Sequence, residues 1–155
     1  MKRPLLGLAV LLLILGAGCA KKPPTACQWL PQSDVENVVG GKIATLDQPV
    51  GADGLTHQCT YRFANGLPVF SVTQDNETAD QFMVSIRNIF PTQNPPDMTQ
   101  NIGVGDSSVL VHYHDTIYIL FVRTGSTSYI LSNVSYSPLT DKGLTTLAKE
   151  LLSRQ

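Results

Sequence analysis

Apolar residues that recur every three or four positions predict three helices in this chain. The first is a short helix over residues 33–39, with its valines on one face. The second covers residues 75–90, and the third covers residues 140–154. The apolar stripes of the two longer helices are Ala79, Phe82, Met83, Ile86 and Phe90, and Leu144, Leu147, Ala148, Leu151 and Leu152.

Residues that favour helix ends fix the expected boundaries. Ser33 and Glu36 have the spacing of a capping box, in which each side chain accepts a hydrogen bond from the other residue's amide. Asp75 or Asn76 is expected to cap the second helix, and Pro91 to end it.

Strand patterns fall into two groups. Residues 42–50 are weakly strand-like, and two further strands flank Asn65-Gly66, a dipeptide typical of a two-residue type I′ hairpin turn. Val69 is expected on the outer face of this hairpin. The second group is a three-strand meander over residues 108–114, 117–124 and 129–136, entered through a turn at Gly103-Val104-Gly105-Asp106.

Turn lengths set the expected registers. A two-residue turn at Asp115-Thr116 would gather one apolar face of the meander, which we expect the last helix to cover. The expected hairpin pairs are Cys59–Val72, Tyr61–Phe70 and Phe63–Pro68, and the expected meander face is Val109, Val111, Tyr113, Tyr118, Leu120 and Val122.

These elements favour an α+β fold. Hairpin connections give a largely antiparallel sheet of about five to six strands, in two hairpin or meander units, with three helices packed on it. Residues 91–101 form a long polar loop with prolines, which cannot be a central strand and is either a binding edge or simply mobile.

The N-terminal segment has the pattern of an export signal. Lys2 and Arg3 precede an apolar run over residues 5–17, which is too short to span a membrane. Small residues then lead to Cys19. The sequence therefore predicts a secretory signal peptide over residues 1–18.

Cys19 after Gly16-Ala17-Gly18 resembles the lipobox of bacterial lipoproteins, although that family usually has leucine where this chain has Gly16. The resemblance implies that the Cys19 thiol carries a fatty-acyl lipid and becomes the mature N-terminus. Residues 19–26 would be a lipidated tether, and residues 27–155 a single globular domain. The protein would be membrane-anchored and would face the periplasm or the cell exterior.

The other two cysteines, Cys27 and Cys59, form an even pair. In an oxidising compartment we expect them to form a disulfide. Such a bridge would constrain the unfolded chain by about 3.7 kcal/mol. A metal or redox pair is the alternative, but the two cysteines lack CxxC spacing.

Short motifs spread over the chain are similar to small bacterial envelope lipoproteins of a domain-of-unknown-function family, especially actinobacterial ones. The resemblance implies a paired-cysteine α+β domain outside the cytoplasmic membrane, with no agreed activity. The motifs are Cys27-Gln28-Trp29-Leu30, Asp34-Val35 with Gly40-Gly41, Cys59-Thr60-Tyr61, Gly103-Val104-Gly105-Asp106 and Leu147-Ala148-Lys149-Glu150-Leu151-Leu152.

The net charge and the motifs of the chain limit the classes of partner and ligand that it could bind. The formal net charge is −1, and without Lys2 and Arg3 it becomes about −3, with no basic cluster for the phosphates of a nucleic acid. No motif indicates a bound cofactor. The partners that stay open are the membrane through the N-terminal lipid, an envelope protein, a cell-wall component and a small-molecule ligand.

Two histidines are candidate metal ligands. His112 and His114 would project from the same face of one strand, with Asp115 in the following turn. A zinc or copper site would need further ligands, and His57 is the only other histidine. The alternative is that both rings are polar residues on the less buried face of the sheet.

Gly105-Asp106-Ser107 resembles the start of GDSL-type hydrolases, in which a later Asp-x-x-His activates the serine. No Asp-x-x-His follows Ser107, and a glycine turn explains the same residues. We therefore expect no catalytic residues and a non-catalytic, lipid-anchored envelope domain for binding or interaction. The alternatives are a metal-binding protein using His112 and His114, and an acyl hydrolase at Ser107.

Overall fold

One antiparallel sheet organises the computed structural model, which describes residues 26–50, 56–90, 92–133 and 137–155. The signal peptide and Cys19 expected from the sequence lie outside the described residues. The strands are β1 Ile43–Val50, β2 Thr56–Phe63, β3 Pro68–Asp75, β4 Asp97–Gln100, β5 Ser107–Tyr113, β6 Ile117–Thr124 and β7 Thr127–Asn133. The helices are α1 Ala26–Trp29, α2 Gln32–Val39, α3 Ala79–Ile89 and α4 Asp141–Ser153.

The strand order is β1-β2-β3-β7-β6-β5-β4, and every neighbouring pair is antiparallel. Pairing of β3 with β7 joins a first meander, β1 to β3, to a second, β4 to β7. The α+β class is confirmed. The described residues form seven strands and four α-helices, however, rather than five to six strands and three helices.

The two additional elements leave little trace in the sequence pattern. β4 lies within residues 91–101, which were expected to form a loop, and its sequence Asp-Met-Thr-Gln has no apolar alternation. It is a strand because its backbone pairs with β5 at the edge of the sheet, a position compatible with the neighbouring prolines. α1 has only 4 residues, too few for a helical period to show.

The β2–β3 hairpin contains a bulge that the expected register lacked. Arg62, rather than Phe63, pairs with Pro68. Only Gly66 in the loop has a positive φ, at 83°, whereas a type I′ turn needs two such residues, so the turn prediction is wrong. Val69 is consequently fully buried instead of lying on the outer face. The confirmed pairs are Cys59–Val72 and Tyr61–Phe70.

The β5–β6 connection also differs from the prediction. A 3-10 turn, His114–Thr116, replaces the two-residue turn and moves the register by one residue. Because β6 is covered by helices on both faces, its apolar residues do not alternate with polar ones, and the pattern could not fix the register. Val109, Val111 and Tyr113 therefore share a face with Ile117, Ile119 and Phe121, and not with Tyr118, Leu120 and Val122.

Helices cover the two faces of the sheet at different ends. On one face, α1, α2 and α4 enclose a large hydrophobic cluster that includes Tyr61, Leu131 and Leu147. On the other face, α3 packs on β5 and β6, and not α4 as expected. We call this smaller group the α3 cluster; its buried members are Phe82, Ile86, Val109, Val111 and Phe121.

The capping box expected at Ser33 and Glu36 is absent from α2, which has no side-chain cap. Glu36 instead accepts a hydrogen bond from the Ile43 amide at 3.0 Å. This backbone hydrogen bond, with help from the Gln32 side chain, holds the pKa of Glu36 below its ordinary value.

The two longer helices begin at threonines. Thr78, and not Asp75 or Asn76, caps α3 and forms a capping box with Gln81. Thr140 caps α4, close to the expected start. The apolar stripes predicted for both helices face the two hydrophobic clusters, as expected.

The disulfide expected from the sequence is confirmed. Cys27 in α1 and Cys59 in β2 are joined, with Cα atoms 5.1 Å apart. The hydroxyl of Tyr61 donates to the Leu30 carbonyl at 2.6 Å. These two contacts hold the N-terminal helices against β2.

Candidate functional site

A groove lies on the α4 face of the sheet, where α4 packs on β6 and β7 and the sheet continues into β5 and β4. Its volume is about 520 Å³, within the range of small-molecule sites. We call it the His112 groove. Its lining residues are Asp97, Met98, Thr99, Leu110, His112, Tyr118 and Asp141.

Strand pairing builds the floor of the His112 groove. Asp97 of β4 and Tyr118 of β6 both lie opposite His112 of β5. Directly opposed residues point to the same face of a sheet, so these three side chains form a row across three strands. Asp141, the first residue of α4, borders the row from the helix layer.

The imidazole of His112 stacks on an aromatic ring and makes no hydrogen bond with the part of the chain that the structure describes. It stacks on Tyr118 with ring centroids 4.7 Å apart and planes 8° apart. Its Nε2 atom is buried and has no hydrogen-bond partner among the described residues. A buried polar atom without a hydrogen bond costs about 1–3 kcal/mol and is uncommon in native proteins. Because His112 also lines the groove, this residue is a functional candidate.

The His112 groove is electronegative. Among the described residues, its lining includes two carboxylates and no lysine or arginine. Asp97 makes no hydrogen bond or ion pair with the part of the chain that the structure describes. Asp141 accepts one hydrogen bond, from the Lys142 amide at 2.7 Å. Both residues are exposed, so most of the acceptor capacity of these two carboxylates faces solvent.

His114 is not paired with His112 in the way the sequence suggested. β5 ends at Tyr113, and His114 lies in the following turn with a φ of 43°, so strand alternation no longer sets its direction. Its Nε2 atom lies 3.0 Å from Nδ2 of Asn94. His57 is on β2, in the other half of the sheet. Among the described residues, no group of three or more His, Cys, Asp and Glu side chains is placed to hold a metal ion.

Ser107 begins β5 beside the expected glycine turn. Gly105 has a φ of 66°, and a Cβ atom there would lie 2.5 Å from the Arg123 carbonyl oxygen. The Asp106 carboxylate accepts a hydrogen bond from the Gly125 amide at 2.7 Å. These contacts explain Gly-Asp as a turn tied to the β6–β7 connection. Within the described ranges, no hydrogen bond joins Ser107 to a histidine.

A larger groove, of about 700 Å³, lies beside the start of α3. Its acidic residues are partly satisfied locally, since Asp75 accepts from the Asn76 amide and Glu77 from the Ser85 hydroxyl. Its described lining residues include Asp80 and Val84 but no aromatic side chain. We therefore place the candidate site in the His112 groove despite its smaller volume.

Comparison with known proteins assigns no family to the chain. It matches no protein-family model, and no curated protein matches it. No helix in the described ranges is long and apolar enough to cross a membrane. Function must therefore be inferred from the chain's own residues.

Sequence reasoning identified only His112 among the residues of the groove. The position of Asp97 could not be predicted from the sequence, because β4 lacks an apolar pattern that would identify it as a strand. Asp141 could be placed at the start of a helix, but its approach to β5 depends on how α4 packs. Tyr118 was assigned to the other face through the incorrect β5–β6 turn.

Proposed function

We propose that this chain is a lipid-anchored cell-envelope protein whose α+β domain is a non-catalytic binding domain. The observation that carries the proposal is the Cys27–Cys59 disulfide, because structural disulfides persist after export and are rare in the reducing cytosol. The leader over residues 1–18 supplies the export route, and Cys19 supplies the anchor.

The His112 groove is the proposed binding site. It combines two stacked rings, the apolar Leu110 side chain and a few polar groups, a mixture typical of ligand sites. We favour binding over catalysis because the His112 imidazole stacks on Tyr118 and, in the described part of the chain, is not hydrogen-bonded to Ser107.

The position of the disulfide fits an anchored domain. Cys27 follows Cys19 by about eight residues, and a fully extended segment of that length reaches at most about 28 Å. The bound lipid would therefore keep the domain close to the membrane surface. A partner or ligand would therefore bind to the His112 groove close to the membrane surface.

Fractionation of a Cys19→Ala variant tests the anchor. The wild-type protein is expected in the membrane fraction, and Cys19→Ala in the soluble extracytoplasmic fraction. The matched control is the Cys27→Ala, Cys59→Ala double variant, which keeps Cys19 and should stay with the membrane. Membrane retention of Cys19→Ala, or a wild-type protein found in the cytosol, would contradict the proposal.

A further inference from the structure

We propose that Met83 and Met98 form an oxidation site, at which conversion of either thioether to a sulfoxide loosens α3 from the sheet. The chain has three methionines. Met1 lies in the expected leader, and the other two both pack against the α3 cluster. The feature that carries the proposal is this convergence of the two remaining methionines on one small hydrophobic group.

Strand pairing and the apolar stripe of α3 bring the two side chains to the same part of the cluster. Met98 of β4 lies opposite Val111 of β5, so both point to the face that α3 covers. Met83 belongs to the apolar stripe of α3. Gln100 follows Met98 by two residues and therefore shares its face. The side-chain Nε2 of Gln100 donates to Sδ of Met83 at 3.2 Å.

Both thioethers lie at the edge of the α3 cluster. β4 is the last strand of the sheet on this side. Met83 and Met98 are half-buried, whereas the adjacent Phe82 is buried. Gln100, which contacts the Met83 sulfur, is exposed. A small oxidant can therefore approach these side chains from solvent without unfolding of the domain.

The reaction is a two-electron oxidation by a peroxide. A lone pair on the thioether sulfur attacks one oxygen of hydrogen peroxide, so that an S–O bond forms and the O–O bond breaks. The proton of the transferred oxygen passes to the departing hydroxide, which leaves as water. The sulfur is oxidised by two electrons to the sulfoxide, and the peroxide is reduced by the same two electrons.

A sulfoxide weakens the packing of α3. The modification converts a flexible apolar side chain into a polar one, and a polar group placed against apolar neighbours is unfavourable. The large cluster beneath α1, α2 and α4 contains no methionine among its described members. Oxidation therefore acts on the α3 end of the fold and spares the other.

Hydrogen exchange followed by mass spectrometry tests the proposal. The sample is the full-length protein, purified in an alkyl maltoside detergent, with and without hydrogen peroxide. Peptide mapping should find sulfoxide at Met83 or Met98. The amides of α3 are expected to exchange about tenfold faster after oxidation, the effect of a polar group left against apolar neighbours. The amides of α4 should keep their exchange rate.

The Met83→Leu, Met98→Leu double variant is the matched control, because leucine has a similar volume and no sulfur. The variant keeps Trp29 and all three cysteines, so every other oxidisable group is still present. Peroxide should leave the exchange of its α3 amides unchanged. The two single variants should each retain part of the response if both thioethers contribute.

Four outcomes overturn the proposal. Both methionines stay unmodified under conditions that fully oxidise the amide of Nα-acetyl-methionine, or sulfoxide forms without faster exchange in α3. The double variant responds to peroxide as strongly as the wild type, or α4 is accelerated by the same factor as α3. The last result would mean that oxidation lowers the stability of the whole domain and does not act on α3 selectively.

Discussion

The two ends of the sheet are covered in different ways. At one end, α1, α2 and α4 enclose the large cluster, and the disulfide ties this layer to β2. At the other end, α3 alone covers the opposite face, and the α4 side of β5 and β4 carries the His112 groove. The staggered helices thus bury both faces of the central strands and leave the α4 side of β5 and β4 partly uncovered, where the His112 groove lies.

Hydrogen bonding follows the same division. Beneath the helix layer, the Tyr61 hydroxyl donates to the Leu30 carbonyl, and the side-chain Nδ2 of Asn133 donates to the Leu139 carbonyl at 3.1 Å. At the His112 groove, the Nε2 atom of His112 has no hydrogen-bond partner within the described ranges. The covered end therefore has buried polar groups that are hydrogen-bonded, while the groove end contains a buried nitrogen that is unsatisfied among the described residues.

The largest expected effect comes from the two stacked ring pairs of the clusters. Phe121→Ala in the α3 cluster and Phe70→Ala in the large cluster should each lower the free energy of unfolding by about 3–5 kcal/mol. Both rings are fully buried, and they stack on Phe82 and Tyr61 at 5.0 and 4.6 Å. Urea unfolding measures the loss.

Val84→Ala is the control for this pair, because Val84 is 54% exposed on α3. It should change the free energy of unfolding by less than about 0.5 kcal/mol. A negligible loss for Phe121→Ala would mean that the α3 cluster does not contribute to cooperative folding.

Removing the disulfide should have the next largest effect. The Cys27→Ala, Cys59→Ala variant should lose about 3–4 kcal/mol, because the bridge closes a loop with a sequence separation of 32 residues. Denaturant unfolding with and without reductant measures this loss. Reductant should destabilise the wild type by a similar amount and leave the variant unchanged, and an equal response of both proteins would contradict the prediction.

His112→Phe should increase stability. Phenylalanine keeps the stack on Tyr118 and removes the unsatisfied Nε2 atom, which costs about 1–3 kcal/mol. His112→Ala, the control, removes the stack as well and should not give the same gain. A lower melting temperature for His112→Phe than for the wild type would show that the nitrogen is not a destabilising group.

Removing a helix-capping side chain should have a smaller effect on stability, and Thr78 and Ser33 should differ in this respect. Thr78→Ala should cost about 1 kcal/mol, because it removes the capping box of α3. Ser33→Ala should be nearly neutral, because Ser33 caps no helix. Thermal melting of the two variants checks the contrast, and equal losses would place a cap at Ser33 as well.

Glu36 gives the smallest effect, visible in the pH dependence. Because its pKa is lower in the folded protein than the ordinary value of 4.5, its ionised form stabilises the fold above that pH. This contribution is lost as the pH falls through the folded pKa. Glu36→Gln should therefore be less stable than the wild type near neutral pH, with a difference that shrinks in acid.

Denaturation between pH 7 and pH 3 measures this difference. Lys42→Gln is the control, because Lys42 is 88% exposed and contributes less to the lowered pKa than the Ile43 amide does. A difference between wild type and Glu36→Gln that stays constant with pH would contradict the assignment.

The parts of the fold that were predictable are those fixed by local periodicity. The apolar stripes of α3 and α4 could be predicted from residue spacing alone. The Cys27–Cys59 disulfide could be predicted because these two cysteines form an even pair. The registers depended on turn geometry, where Gly66 alone takes a left-handed conformation and His114 extends the β5–β6 turn. The groove was less predictable still, because Asp97 reaches it through backbone pairing at the sheet edge.

Mass spectrometry of the protein purified from the cell envelope without reductant tests the central claim most directly. We predict an N-terminal peptide that begins at Cys19 and carries fatty-acyl mass, together with a disulfide-linked peptide pair containing Cys27 and Cys59. A chain that still begins at Met1, with an unmodified Cys19 and reduced thiols, would contradict it.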